Sequence, residues 1–537
     1  MTHRCREPAA AQHNRVSLQV REEKYKSNTH LITMSKLSVT ANPSEQVADD
    51  LTIAPITGWN AQYIDGEWIP AGDRETIAVE EPSSGAEIGR IPVGTADDVD
   101  TAYQAAARAQ SDWETTTAHE RAAVINDARE IIRGWEDELI YLFAAESGSV
   151  NAKARSELNS LDAIMEVSEG LASQVSGEYR TSPVENKETQ VRQKPVGVVG
   201  VITPWNFPFH LSMRVVAPAL AAGNAVVLKP DEQTPYLGGH VIARAFEEAG
   251  LPAGLLNVVT GDGAQTGDAV VTHETPRMIS FTGSSEVGRK VGARAVEQFA
   301  YPELELGGNN VHIVTENADL DWAVDSGVFG SFTHQGQICI SINRHIVHES
   351  VYDEYVERLS DRAAALPIGD PHEPDTVVGP IINEQQRDKI VEFIAQSQER
   401  GAVVETGGGH DELFVEPTVL SNVNQEMPVA CNEHFGPVAP VIPYETESEA
   451  LAIANDTRYG LSGSVHSTDL SQAKRIATEL ETGMVHINDQ PVNDDPNTPF
   501  GGVGASGLGR YNGEAILDRL TETKWISIQN EPRDYPY

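Results

Sequence analysis

Apolar residues between positions 98 and 145 recur at helical spacing, with no proline and with acidic residues between them, which predicts amphipathic helices on a surface. After Val196 the pattern changes to short continuous apolar runs. Residues 197–203, 224–229, 256–259 and 278–282 read as buried strands, and 209–222 and 236–249 as the helices between them. Such alternation predicts a parallel, doubly wound α/β sheet. A second α/β series follows Glu305, with strands at 311–314 and 345–347 and helices at 320–333 and 351–365, and continues to about Phe500. Residues 175–192 read as a polar hairpin inserted between helices and sheet. No repeat or low-complexity tract interrupts the chain.

A chain of 537 residues exceeds one compact core, so two or three domains are expected. Its 40% hydrophobic and 22% charged content is that of a soluble globular protein. The longest uncharged apolar run, 196–205, is too short to cross a bilayer, and no membrane is expected as a partner. Charge changes the picture more. Eighty acidic residues stand against 39 basic ones, only 11 of them lysine, for a net charge of -41. That surface would repel a phosphate backbone, which argues against nucleic acid. It suits a salt-rich cytosol, where screening weakens self-repulsion, so a halophile's protein is expected over an ordinary acidic enzyme. Residues 1–33 differ, with six basic side chains against three acidic and no apolar stretch that would make a secretory signal. They read as a disordered arm, within an extension of residues 1–50, or as an upstream start ahead of a true initiator at Met34; the second is preferred.

Cys5, Cys339 and Cys431 form neither a disulfide framework nor a CxxC pair, and a reduced, cytoplasmic compartment is expected. Cys339, in His334-Gln-Gly-Gln-Ile-Cys339-Ile-Ser, is flanked by isoleucines and by itself suits an inert buried thiol as well as a nucleophile. His334 invites a Cys–His dyad, but five residues do not place the pair on one helical face. His345 and His348 lack metal-ligand spacing and read as surface histidines. The acidic run 488–495 lacks the glycine and distal glutamate of a calcium loop, so no metal is expected.

A dinucleotide site needs a strand, a glycine turn and a helix N-terminus. Gly261-Asp-Gly263-Ala-Gln-Thr-Gly267 is one residue too long and reads as a plain loop. In Phe281-Thr-Gly283-Ser284-Ser-Glu-Val-Gly288, Gly283 allows a tight turn, Ser284 can cap the helix or bond a phosphate, and Gly288 permits close packing. Lys229-Pro-Asp-Glu232 ends another strand; its carboxylate can accept from ribose hydroxyls or stand as a solvated loop charge.

From about Asn60 to its end the chain resembles the aldehyde dehydrogenase superfamily. Thr203-Pro-Trp-Asn206-Phe-Pro, Leu228-Lys229-Pro-Asp-Glu232-Gln-Thr-Pro, Phe281-Thr-Gly283-Ser284, Leu304-Glu305-Leu-Gly-Gly308, Gly336-Gln-Ile-Cys339, Glu433-His-Phe435-Gly-Pro437 and Pro499-Phe500-Gly-Gly502 carry the likeness, in the family's order and spacing. The resemblance implies that the Cys339 thiolate attacks an aldehyde, that Asn206 and the Cys339 amide hold the oxyanion, and that Glu305 activates water to release a free acid. It makes NAD, rather than NADP, the expected cofactor. Lys229 and Glu232 would contact the adenosine ribose, Ser284 with Gly283 the pyrophosphate, and Glu433 with Phe435 the nicotinamide ribose; Thr203 and Trp205 belong to the same site. Phe207, Arg214 and Phe500 would line the substrate pocket.

The implied architecture is an NAD domain (51–174 and 193–306), a catalytic domain (307–507) and small β oligomerisation elements (175–192 and 508–537), assembled as a homodimer or homotetramer. Two departures stand out: Asn309 and Val215 replace lysines found in many relatives, the second one thought to relay protons for the glutamate, a task Arg214 could partly take over. Both changes, with the Pro-Arg-Asp-Tyr-Pro-Tyr537 tail, look like the benzaldehyde/vanillin dehydrogenase branch and suggest an aromatic aldehyde. An aliphatic semialdehyde, its carboxylate held by Arg214, stays open as an alternative. So do an NAD-independent thiol esterase and a catalytically dead structural relative.

Overall fold

In the computed structural model, residues 60–537 are described; the expectations for residues 1–50, with Cys5 and Met34, lie outside them. An eight-stranded sheet has at its centre β1 (Val198–Ile202), β2 (Ala225–Lys229), β3 (Leu256–Val258), β4 (Met278–Thr282) and β5 (Tyr301–Glu305). They run parallel in the order β3-β2-β1-β4-β5. The first four are mostly apolar runs buried on both faces, because helices cover both sides of the sheet, whereas β5 reads Tyr-Pro-Glu-Leu-Glu and is buried from Glu303 onward. A seven-stranded sheet is built around β6 (Asn310–Val314) and β7 (Ile342–His348), again parallel. The chain then returns to the first sheet, where β8 (Gly507–Leu508) pairs antiparallel with β5. Three helices bear on the site: α1 (Asn151–Leu171), α2 (Pro208–Ala221) and α3 (Ser285–Glu297).

The hairpin and the C-terminal strand meet. Gly177–Thr181 and Lys187–Pro195 pair antiparallel, and Thr521–Gln529 adds to the second strand over its full length. This three-stranded sheet exposes Tyr179 and Trp525, 68% and 69% accessible.

Four local readings are corrected. The helix Glu136–Ser147 is exposed only at its first turn and at Tyr141; Leu139, Ile140 and all of 142–147 are buried, since its apolar residues run consecutively instead of along one stripe. The segment after Pro235 opens as a π-helical turn, Tyr236–His240, before the α-helix Val241–Glu248, and the buried Glu146 carboxylate accepts its first two amides. Gly263–Gly267 is a π-helical turn, not a plain loop, because the Asp262 side chain accepts the amides of Ala264 and Gln265. His345 is fully buried in the middle of β7, bonded to Ser331 Oγ at 2.8 Å and to the Tyr355 hydroxyl at 2.9 Å; only His348 is partly exposed.

Candidate active site

The C-terminal edge of the parallel sheet gathers residues that are far apart in sequence. Lys229 ends β2, Thr203 and Gly283 follow β1 and β4 directly, and Glu305 ends β5, so the four lie along adjacent strands. A ligand crevice is expected at such an edge. Lys229 is buried, and its ammonium sits 3.0 Å from the Glu232 carboxylate. The Thr203 hydroxyl is 2.8 Å from that of Ser212 on α2, which ties the strand end to the helix. Ser284 is the N-cap of α3, its hydroxyl accepting the Val287 amide at 3.4 Å. A Cβ on Gly288 would lie 2.2 Å from Leu306, so glycine there permits the close approach of α3 to the chain beyond β5.

The second sheet contributes Glu433 and Phe435. The Glu433 carboxylate accepts the Gly308 amide at 3.0 Å, and burial pushes its pKa above the ordinary value. Phe435 has φ +54°, and its ring meets Trp205 edge-on with centroids 5.5 Å apart. Two features of this edge fit a dinucleotide: the paired Lys229 and Glu232 at a strand end, and the N-terminus of α3 opening beside Gly283.

Cys339 is delivered by an unusual turn. His334, Gln335 and Gly336 take φ of +50°, +57° and +68°, three left-handed residues in succession. Each non-glycine in that region costs about 1–3 kcal/mol, so other contacts must hold it. Gln335 Nε2 donates to the carbonyls of Pro380 (2.8 Å) and Gly148 (3.3 Å), while Gln337 Oε1 accepts the Ile382 amide at 3.0 Å. Asn206 Nδ2 donates to the Gln337 carbonyl at 2.9 Å, which orients its amide beside the cysteine. Asn310 then donates to the carbonyls of Cys339 (2.8 Å) and Ser341 (2.7 Å). Gln335, Gln337 and Asn310 escaped the sequence reading because an isolated amide in a loop carries no periodic or spacing signal.

The partly exposed thiol opens on a cavity of about 340 Å³, within the size range of small-molecule sites. Asn206, Phe207, Arg214 and Phe500 all line it with Cys339. Phe207 carries the Lys153 ammonium 4.3 Å above its ring and the His334 ring edge-on at 5.7 Å; the Arg214 guanidinium stacks 4.3 Å from Phe500. His334 therefore shares the cavity with Cys339 although the two share no helical face.

Arg214 does not stand free. Its guanidinium contacts the Asp494 carboxylate, and Nη2 lies 2.9 Å from His210 Nε2, itself 3.0 Å from Asp494. Asp494 belongs to the acidic run rejected as a calcium loop. Arg214 holds its carboxyl well below the usual carboxylate range despite burial. The sequence missed this role because the partner lies 280 residues away.

Glu305 is buried, and burial pushes its pKa up to about 8, with Arg214 pulling the other way. Enclosure and the nearby Glu305 carboxylate both push the Cys339 thiol up, again opposed by Arg214. Of the two departures, Val215 is in the hydrophobic core, and the Asn309 side chain is spent on the Ala430 carbonyl (2.9 Å) and on Asn343 (2.7 Å). Arg214, always charged, acts on Glu305 by its field and cannot itself carry a proton away. Among the described residues no group of His, Cys, Asp and Glu is arranged to hold a metal.

The aldehyde dehydrogenase family model matches residues 68–526. A benzaldehyde dehydrogenase of Bacillus subtilis is 45% identical, covering 89% of this chain and 99% of its own length. A vanillin dehydrogenase of Corynebacterium glutamicum is 42% identical, covering 87% and 97%. Among solved structures, betaine aldehyde dehydrogenase of Staphylococcus aureus in complex with NAD+ superimposes with a TM-score of 0.88 at 32% identity, covering 92% of this chain and 98% of that one.

Proposed function

The chain belongs to the aldehyde dehydrogenase family, and we propose that it oxidises an aromatic aldehyde to the free acid, with NAD as cofactor and Cys339 as nucleophile. One observation carries the reading: a strained, firmly held loop delivers Cys339 to a cavity lined by three phenyl rings, Phe207, Phe329 and Phe500, in which the arginine is already neutralised by Asp494. A carboxylate at the far end of the substrate would find no free cation at Arg214. That speaks against an aliphatic semialdehyde. The benzaldehyde and vanillin relatives support the aromatic choice.

In this reading the Cys339 thiolate adds to the carbonyl carbon. The Asn206 N–H not used on Gln337 and the Cys339 amide stabilise the oxyanion, one such donor being worth about 3 kcal/mol. NAD, held along the strand ends by Lys229, Glu232, Ser284, Glu433 and Phe435, supplies the hydride acceptor; Glu232 would repel a 2′-phosphate and favours NAD over NADP. Loss of hydride leaves a thioester on Cys339. Glu305 takes a proton from water as that water attacks, and the acid leaves.

The exposed three-stranded sheet with Tyr179 and Trp525 supports pairing of subunits by sheet extension, as a dimer or tetramer. No described helix is long and apolar enough to cross a membrane. Among the described residues Cys339 and Cys431 are both free thiols, which supports a reducing cytoplasm, and the net charge of -41 supports a salt-rich one. The test is NADH production in high salt with benzaldehyde, vanillin and succinic semialdehyde. The aromatic pair should lead, and Asp494→Asn, by freeing Arg214, should narrow the gap. Preference of the native protein for the semialdehyde would overturn the substrate assignment; no NADH from any of them would overturn the activity.

A further inference from the structure

Glu305 gains a proton in every hydrolytic turnover and must lose it, and Val215 offers no acceptor. The strand that carries Glu305 holds a second carboxyl. Glu303 lies two residues earlier on β5, so both side chains leave the same face of the strand. Leu304 points the other way, against α3, where a Cβ on Gly292 would lie 3.0 Å from it. The antiparallel neighbour β8 pairs Gly507 with Glu305 and Leu508 with Leu304, which sets Gly509 opposite Glu303. A Cβ on Gly509 would stand 1.8 Å from Glu303 Oε1, and one on Gly507 3.5 Å from Glu305 Oε1. Glycine at 509 is thus required by the carboxyl over it, and the two acids share one aisle roofed by backbone.

Glu303 is 1% exposed. One of its oxygens lies 3.3 Å from Nε of Arg519, whose side chain is 48% exposed, while Oε1 has no hydrogen-bond partner. Glu305 Oε2 likewise has none. The buried Tyr511 hydroxyl lies alongside, donating to the Glu303 carbonyl at 3.2 Å and 2.8 Å from Ser280 Oγ. Arg519, Arg510 and Tyr511 surround Glu303, and Glu305 follows it on the same face of the strand. Burial pushes Glu303 up to about 8, with Arg519 and then the Arg510 backbone and charge pulling back, the same direction in which burial moves Glu305.

We propose that Glu303 receives the proton from Glu305 and passes it to solvent beside Arg519. This rests on the hydrolytic dehydrogenase function proposed for the chain. Water oxygen bonds to the thioester carbon while one water proton moves to the Glu305 carboxylate. The carbon–sulfur bond then breaks, returning Cys339 as thiolate. Glu305 hands its proton to the Glu303 carboxylate, which releases it to buffer. No electrons change hands in these steps. Glu303 acts through Glu305 and touches no reacting atom.

Glu303→Gln and Glu303→Asp test it. Acylation of Cys339 by p-nitrophenyl acetate, followed by stopped flow and mass spectrometry, isolates deacylation from hydride transfer. NADH formation from benzaldehyde is measured beside it, and thermal melts report folding. The expected result for Glu303→Gln is acylation at the native rate, deacylation slower by about tenfold with its rise towards alkaline pH displaced, and recovery of most of the rate in Glu303→Asp. Native deacylation rate and pH profile in Glu303→Gln overturn the relay, as does an equal loss of acylation and deacylation that tracks a lowered melting temperature. If the native protein forms and hydrolyses the acyl-enzyme but makes no NADH, the dehydrogenase reading fails while the relay stands.

Discussion

At the sheet edge, Lys229, Thr203, Gly283 and Glu305 sit where they do because the strands end there and are parallel neighbours. Around Cys339 no local cause of that kind exists. Its approach runs through three left-handed residues that are stable only because Gln335, Gln337 and Asn310 reach carbonyls and amides in other parts of the chain. One half of the site is dictated by periodicity, the other by long-range hydrogen bonds. In its geometry the first should tolerate change at a single side chain, whereas the second should shift when one amide is lost.

The largest break is at the thiol. Cys339→Ala should lower both NADH formation and ester hydrolysis by more than about 10⁴-fold with the fold intact by circular dichroism; retained oxidation sinks the nucleophile assignment. Glu305→Gln should keep the first-turnover release of NADH and slow the steady state by about 10²-fold. With its folded pKa raised to about 8, the native glutamate is protonated below that pH and competent above it, so native turnover should climb as pH rises through about 8 and the Gln variant should show no such limb. Gln335→Ala tests the loop itself: loss of about 1–3 kcal/mol of stability in urea melts, with kcat reduced about tenfold and NAD binding unchanged. An unaltered kcat would mean the turn needs no such brace. Smallest is the edge: Glu232→Gln should raise KM for NAD roughly fivefold, about 1 kcal/mol, and leave kcat alone.

The same division explains how much could be read in advance. Strands β1 to β4, α2 and the cap at Ser284 follow from apolar runs and capping chemistry, and the structure places them within a residue or two, whereas β5 does not read as a strand in the sequence. Cys339 alone carried no signal beyond two isoleucines; its position after Glu305 and Asn206 supplied one. Asp494, its partner Arg214 and His210 were each visible, but not their meeting, because a contact across 280 residues leaves no trace in spacing. His345 was misread for a related reason: a histidine's burial depends on whether hydroxyls such as those of Ser331 and Tyr355 arrive to satisfy it. Glu303 looked like one more acid among eighty.

The brace on Gln335 also has a meaning in time. Its two carbonyl acceptors lie 45 and 187 residues away, and the Asn206 contact with Gln337 spans 131. Contacts of such separation close late, after local elements have formed. A half-folded chain therefore holds a cysteine without its cavity, its Asn206 neighbour or Glu305, and catalysis begins only once distant parts of the protein are in place. During refolding, ester turnover at Cys339 should lag the recovery of helical signal. The left-handed turn thus ties catalysis to completed assembly.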